Sequence, residues 1–209
     1  EPYRRQRQMC IRDRYKNYFY GLPGIDFATA IYYVKSEMKE SFEYLFNKDF
    51  KNRMYLFKTE EFLENNEKLI ILGIGNELKC DDGVGPFVID ELKDLENPNL
   101  IIIDGKTVPE NFTGKIRKEQ PSHVILVDAC LMGCKPGEFK IVDKDDFVNI
   151  GISTHSMSLS YFVKYLERDN DFKIIFVGIE PESMDYSDKP TPAVQKGAYK
   201  FINILKEIL

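Results

Sequence analysis

The chain has 209 residues, with 34 Asp and Glu against 29 Lys and Arg, and a formal net charge of −5 at pH 7. This length suits one well-filled α/β domain with some additional chain. The acidic balance argues against nucleic acid or an anionic membrane surface as a partner, because both bind to clustered positive charge. The longest apolar run, at 69–74, is far shorter than the roughly 20 residues that span a bilayer, so we expect no membrane partner.

The cysteines and the N-terminus bear on the cellular compartment. The four cysteines show no repeating spacing, which favours reduced thiols over a disulfide framework; they are Cys10, Cys80, Cys130 and Cys134. The basic N-terminus is not followed by the apolar core and small-residue cleavage site of a secretory signal. We therefore predict a cytoplasmic protein.

Residues 1–68 and 69–209 differ in sequence character. The opening EPYRRQRQMCIRDR, residues 1–14, resembles translated sequencing-adapter read-through, and we expect it to be an artefact. Residues 15–52 contain one helical pattern, at 27–46, and no recognisable site. Because Met54 directly precedes an amphipathic lead-in to the first strand, we predict it as the natural start, with 1–68 as an N-terminal extension and 69–209 as the functional domain.

From residue 69 onwards, apolar strands alternate with amphipathic helices. Buried strands are predicted at 69–75, 99–104, 123–129 and 173–181, and a more polar edge strand at 138–143. Helices are predicted after the first strand, from 153, and from 192, with Thr191 and Pro192 capping the last one. This alternation predicts an α/β fold in which helices cover both faces of a mostly parallel sheet.

Acidic residues follow the strands at the points where the apolar runs stop. Asp81 and Asp82 follow the first strand, Asp104 ends the second, and Asp128 ends the third, while His155 lies in an STH run before a later helix. Because loops from the carboxyl ends of parallel strands converge at one edge of the sheet, we expect these side chains to gather there. Two carboxylates and an imidazole suit a divalent transition metal better than Mg²⁺ or Ca²⁺.

The same residues also have structural interpretations. Asp82 could be a helix N-cap, Asp104 could stabilise a turn, and His155 could be a hydrogen-bonding core residue. Asp128 is harder to explain in this way, because an ionised carboxylate is costly to bury at a strand end without a partner. The other histidine, His123, opens a strand and is expected at the surface.

A dinucleotide site is a weaker alternative for the turn after the first strand. Gly73 and Gly75 occupy the first two glycine positions of the dinucleotide fingerprint, but the third position is Leu78. Asp81 and Asp82 would repel a pyrophosphate from the following helix N-terminus. The sequence also has no H-E-x-x-H, G-x-S-x-G or Walker A pattern, which disfavours the mechanisms that use them.

Five motifs follow one another along 69–209: GIGNELKCDDGVGP, IIIDG, VILVDACLMGCKPGEFKIVD, STHSMSLSYFVKYL and FVGIEPE. In these motifs the chain resembles the hydrogenase maturation protease family, and most closely the branch that serves formate-hydrogenlyase and energy-converting hydrogenases. The resemblance implies a three-layer α/β fold of the phosphorylase/hydrolase-like kind, with a twisted, mostly parallel five-stranded sheet.

The resemblance also implies an activity and a set of site residues. The implied enzyme is an endopeptidase, grouped with the aspartic type, that removes the C-terminal extension of a nickel-iron hydrogenase large-subunit precursor after nickel insertion. The family's metal-contacting positions match Asp82, Asp128 and His155, and either aspartate could be the general base. The supporting positions are Asp104, Gly75, Asn76 and Gly83. This sequence has DGK at 104–106 where relatives often have two glycines, so the neighbouring loop departs from the family pattern.

The resemblance leaves the role of the metal open. The metal could be the substrate's nickel, recognised so that the scissile bond is placed correctly, or it could activate water. We favour recognition, and we expect no organic cofactor and a monomeric protein. A nickel-dependent checkpoint protein that binds the precursor without cutting it is one alternative. A small-molecule hydrolase or phosphorylase with the same fold is another.

Overall fold

The structure is a computed structural model that describes residues 55–56, 58–143, 159–168 and 171–209. The chain divides into two units, and all the described residues belong to the second, Met54–Leu209. The predictions for residues 1–53, for the natural start and for His155 lie outside the described residues.

The described residues form one five-stranded sheet. Its strands are β1 (Leu69–Ile74), β2 (Leu100–Lys106), β3 (His123–Ala129), β4 (Phe139–Asp143) and β5 (Lys173–Ile179). They lie in the order β2-β1-β3-β5-β4. All neighbouring pairs are parallel except β4 with β5, which are antiparallel. The predicted mostly parallel five-stranded sheet is confirmed, and its polar strand lies at the edge as expected.

Helices cover both faces of the sheet. The helices are α1 (Val84–Leu92), α2 (Thr113–Glu119), α3 (Leu159–Glu167) and α4 (Pro192–Ile208), with 3-10 helices at Cys80–Gly83 and Pro109–Phe112. Helical backbone at 55–56 and 58–62 precedes β1. Within the described part of the chain, no helix has the length and apolar character needed to cross a bilayer.

Two hydrophobic clusters lie on opposite faces of the sheet. Alternate residues of β1 divide between them: Leu69 and Ile71 join the cluster of α1 and α4, and Ile70 and Leu72 join the cluster of α2 and α3. Tyr55 and Leu63, which precede β1, also belong to the first cluster. Because both faces are covered, the central strands are continuous apolar runs, as is usual in parallel sheets. The predicted three-layer architecture is therefore confirmed.

The prediction that His123 lies at the surface was wrong. Its side chain is only 3% exposed, and the Phe62 ring packs edge-on against it with ring centroids 5.0 Å apart. The Phe62 ring therefore covers His123 at the start of β3, a contact that the sequence of β3 itself does not indicate. Burial lowers the pKa of His123, and the neighbouring Lys173 lowers it further.

Candidate active site

Helix α1 packs directly against the ends of two strands because small residues lie at the contact. A Cβ at Gly85 would overlap the backbone of Ile74 and would lie 2.7 Å from the carbonyl oxygen of Val127. A Cβ at Gly73 would lie 2.5 Å from the carbonyl oxygen of Gly85. This close approach places the start of α1 beside the end of β3, which carries Asp128.

The turn after β1 holds the backbone of Asp82 in position. Gly75 has a φ of 142°, and a Cβ at this residue would overlap the carbonyl oxygen of Asp82. The N–H of Asn76 donates to that same oxygen at 3.2 Å. The Asn76 side-chain oxygen accepts the N–H of Leu78 at 3.0 Å, which closes the turn. The location of Asp82 therefore depends on both Gly75 and Asn76.

Asp82 and Asp128 form a buried pair of carboxylates at the carboxyl edge of the sheet. Their exposed fractions are 4% and 1%, and Oδ1 of Asp128 accepts the N–H of Ala129 at 2.7 Å. Burial raises the pKa of Asp128 well above its ordinary value, and the negative charge of Asp82 raises it further. The N-cap interpretation of Asp82 was wrong, because Gly83 is the N-cap of α1 and no side chain caps that end.

Asp104 lies one strand away, partly buried, opposite Gly73 of β1. Its Oδ1 accepts the N–H of Lys106 at 3.1 Å, and Lys106 has a φ of 49°. The register of β1 with β2 shifts at this point. The carboxylate therefore stabilises the irregular end of β2, in agreement with the turn interpretation.

Asp81 is a fully buried acid whose structural role the sequence analysis missed. Its side chain is 0% exposed. Oδ2 accepts the N–H groups of Glu182 at 2.7 Å and Ser183 at 2.8 Å. Oδ1 accepts the N–H of Thr191 at 2.6 Å, and the Thr191 hydroxyl donates to Oδ2 at 3.1 Å. One carboxylate thus joins the loop after β1 to the loop after β5 and to the start of α4.

The sequence itself indicates that the adjacent residues Asp81 and Asp82 have different roles. Successive side chains of a 3-10 helix point about 120° apart, because the helix has three residues per turn. Only one of two consecutive aspartates can therefore face β3. Thr191 occupies the N-cap position of α4 as predicted, but it makes no side-chain capping bond because its hydroxyl donates to Asp81.

The loop after β3 is held by a second buried acid, Glu180. Its Oε2 accepts the N–H groups of Met132 at 2.6 Å and Cys134 at 3.1 Å. Burial raises the pKa of the Cys130 thiol to about 12, with further contributions from Asp128 and Glu180. Cys130 therefore remains a neutral thiol at physiological pH and is unsuited to act as a nucleophile.

The buried carboxylate pair fits a cation. Asp82 and Asp128 are two of the three predicted metal ligands, and the third, His155, lies outside the described residues. Within the described residues, no group of three or more His, Cys, Asp or Glu side chains could hold a metal ion. Two buried like charges repel each other, and a divalent cation between them would offset both the repulsion and the cost of burial. The oxygen donors are thus present in the described region.

The chain is similar to known hydrogenase maturation proteases. The family model HycI, described as hydrogenase maturation protease, matches residues 86–208. A relative in Methanocaldococcus jannaschii, whose name assigns it to the hydrogenase maturation proteases, is 39% identical over 155 residues, which cover 70% of this chain and 91% of the relative.

Solved structures of similar fold carry related names. The crystal structure of a nickel-iron hydrogenase maturation protease, HycI from Thermococcus kodakarensis, matches with a TM-score of 0.68 and 29% identity, covering 73% of this chain and 98% of that one. The solution structure of the endopeptidase HycI from Escherichia coli matches with a TM-score of 0.59 and 31% identity, covering 65% and 87%.

Proposed function

This chain belongs to the hydrogenase maturation protease family, and from that membership we propose that it removes the C-terminal extension of a nickel-iron hydrogenase large-subunit precursor. The reaction is peptide-bond hydrolysis that completes maturation of the hydrogenase. The observation that carries the proposal is the buried pair Asp82 and Asp128 at the carboxyl edge of the sheet. A buried carboxylate pair can supply a general base, which peptide hydrolysis by water requires.

We propose that the nickel of the precursor is recognised by Asp82, Asp128 and His155. Nickel bound to the precursor would be the signal that maturation has reached the cleavage step. Binding at these residues would hold the scissile bond close to the carboxylate pair, so that catalysis gains from orientation. The mixed oxygen and nitrogen donors of this set suit a divalent transition metal.

We assign the general base to the carboxylate pair, with Asp128 favoured, in keeping with the aspartic type of endopeptidase. In the metal-free protein, burial raises the pKa of Asp128, and a carboxylate whose pKa is raised is a stronger base. In this mechanism Asp128 takes a proton from water as the water oxygen attacks the scissile carbonyl carbon. The proton then passes to the leaving amine as the C–N bond breaks, so one peptide bond and one water give a carboxyl and an amine.

The compartment and the assembly state belong to the same proposal. We propose a cytoplasmic, monomeric enzyme. The free thiols of Cys80, Cys130 and Cys134 support a reducing compartment. Sedimentation of the full chain would test the monomer directly.

The test is incubation of the full chain with the precursor in nickel-loaded and nickel-free forms, followed by intact-mass measurement. We expect loss of the C-terminal extension from the loaded form alone. Asp82→Asn and Asp128→Asn should lower the cleavage rate at least about a hundredfold, as expected when a general base is removed. Asp90→Asn is the matched control, because Asp90 is an exposed aspartate on α1. A stable complex without any change in precursor mass would instead support the non-cleaving checkpoint protein.

A further inference from the structure

Exposed large hydrophobic side chains concentrate at the edge of the sheet that carries the carboxylate pair. Among the described residues, four of the seven such side chains lie on loops that follow β1, β2, β3 and β5: Leu78, Val108, Leu131 and Tyr186. These four strands are parallel, so their following loops share one edge. Single exposed hydrophobic residues are ordinary on protein surfaces, but a concentration around one site indicates an interaction surface.

Leu78 and Tyr186 are held next to each other by backbone bonds. Lys79 and Ser187 form an isolated parallel bridge between their loops. The N–H of Ser187 donates to the carbonyl of Leu78 at 3.2 Å, and the N–H of Cys80 donates to the carbonyl of Ser187 at 3.1 Å. We call this pair of side chains the Leu78–Tyr186 ridge.

The ridge is rigidly supported and strongly exposed. Leu78 is 67% exposed and Tyr186 is 87% exposed. The buried carboxylate of Asp81, in the loop after β1, accepts the backbone N–H groups of Glu182 and Ser183 in the loop after β5 and so joins the two loops. A preorganised surface loses little conformational entropy when a partner binds, so the burial of its apolar groups contributes more fully to affinity. Exposed tyrosines of this kind are frequent anchors at protein interfaces.

The charges around the ridge indicate the chemistry of the partner. The two loops carry more exposed carboxylates than exposed ammonium groups: Glu77, Glu182, Asp185 and Asp188 against Lys79 and Lys189. Electrostatic complementarity therefore favours a partner segment that combines apolar side chains with Lys or Arg.

We propose that the Leu78–Tyr186 ridge is a docking surface for an apolar, basic segment of the large-subunit precursor, outside the scissile bond itself. This inference rests on the proposed function. Leu78 precedes Asp82 by four residues in the same loop, so their Cα atoms lie no more than about 14 Å apart, and a segment docked on the ridge would lie near the carboxylate pair. The ridge would hold the precursor while the carboxylate pair acts, and would set affinity without taking part in bond breaking.

The test compares cleavage kinetics of the nickel-loaded precursor by the full chain and by a Leu78→Ser/Tyr186→Ser double variant. We expect KM to rise at least about tenfold while kcat changes less than about twofold, because the lost contacts act in binding. Tyr199→Ser is the matched control. Tyr199 is 40% exposed on α4, seven residues from its start, or about 10 Å from the edge, and its loss should leave KM within about twofold.

Two further experiments test the chemistry of the partner and distinguish failure of the docking proposal from failure of the proposed function. Glu77→Lys/Asp188→Lys should raise KM and weaken its dependence on salt, whereas charge-neutral contacts would leave both unchanged. An unchanged KM in the double variant, with thermal unfolding like that of the wild type, would overturn the docking proposal while leaving the protease function intact. A wild type that sediments as a dimer, together with a monomeric double variant, would also overturn it by assigning the ridge to self-association. Failure of the wild type to cleave at all would refute the proposed function itself.

Discussion

Thr191 donates two hydrogen bonds to the Asp81 carboxylate, one from its backbone N–H at 2.6 Å and one from its hydroxyl at 3.1 Å. The two residues are 110 positions apart in the sequence. Asp81 is adjacent to Asp82, so the loop that carries one member of the carboxylate pair is anchored to the start of α4. The bonds are fully buried on the Asp81 side, where charge-assisted hydrogen bonds are strongest.

We expect Asp81→Asn to destabilise the fold by about 2–4 kcal/mol. The carboxamide has only one acceptor oxygen, and its NH₂ group would face N–H donors from Glu182, Ser183 or Thr191. Urea unfolding would measure the change. Thr191→Val removes the hydroxyl bond alone and should cost about 1 kcal/mol. An Asp81→Asn protein with an unchanged unfolding midpoint would show that the anchor contributes little.

Gly75→Ala should both destabilise the protein and abolish cleavage. A Cβ at this position overlaps the carbonyl oxygen of Asp82, and the φ of 142° is unfavourable for any L residue. Relief of the overlap would move Asp82, so we expect a loss of at least about 2 kcal/mol together with loss of activity.

Gly114→Ala is the matched control for that substitution. A Cβ at Gly114, in α2, meets nothing within 4 Å, so alanine should stabilise the helix by up to about 1 kcal/mol and leave cleavage unchanged. Thermal unfolding and the precursor cleavage assay measure the two effects. Equal behaviour of the two variants would contradict the role assigned to Gly75.

Asp128→Asn should stabilise the metal-free protein at neutral pH while it removes activity. The pKa of Asp128 is raised in the folded state, so folding favours the protonated form. The contribution of protonated Asp128 to the free energy of unfolding is fully present below the ordinary pKa of about 3.9. This contribution is lost as the pH rises through the folded-state pKa. Asparagine stays neutral and avoids this loss. We expect a Tm above that of the wild type by a few degrees at pH 8 and a smaller difference at pH 5. A Tm below that of the wild type at pH 8 would count against the charge penalty.

His123 should make the protein less stable in mild acid. Burial and Lys173 lower its pKa from the ordinary value of 6.5, so the unfolded chain takes up a proton more readily than the folded one. The contribution of neutral His123 to the free energy of unfolding is fully present above about pH 6.5, and it is lost as the pH falls toward the folded-state pKa. Urea unfolding between pH 5 and pH 8 should show this loss in the wild type and a smaller one in His123→Leu. Parallel profiles for the two proteins would exclude His123 as the cause.

Sequence patterns were sufficient for the layers of the fold. The apolar runs at 69–75, 99–104 and 123–129 correspond to β1, β2 and β3 within two residues at each end. Local patterns succeed here because a strand buried on both faces must be apolar throughout its length. The same argument identified Asp128, since a carboxylate that ends such a strand is buried whatever its partners are.

Contacts between distant segments could not be predicted from such local sequence patterns. The burial of His123 depends on Phe62, which comes from outside the sheet, and the contribution of Asp81 depends on Glu182, Ser183 and Thr191. Neither set of partners is close in sequence to the residue that it affects. A hydrogen bond or a covering ring requires a particular three-dimensional approach, and no local periodicity encodes it.

The sequence by itself therefore determined the α/β architecture and the acidic strand ends, because backbone hydrogen bonding and burial of apolar side chains impose short, regular periods on the residues. Only the tertiary structure decided which aspartate of the doubled pair anchors the loops and which lies beside Asp128. That division depends on the close packing of α1 at Gly85 and on the bonds that Asp81 makes across the molecule. Such contacts depend on distance in space, which sequence separation does not specify.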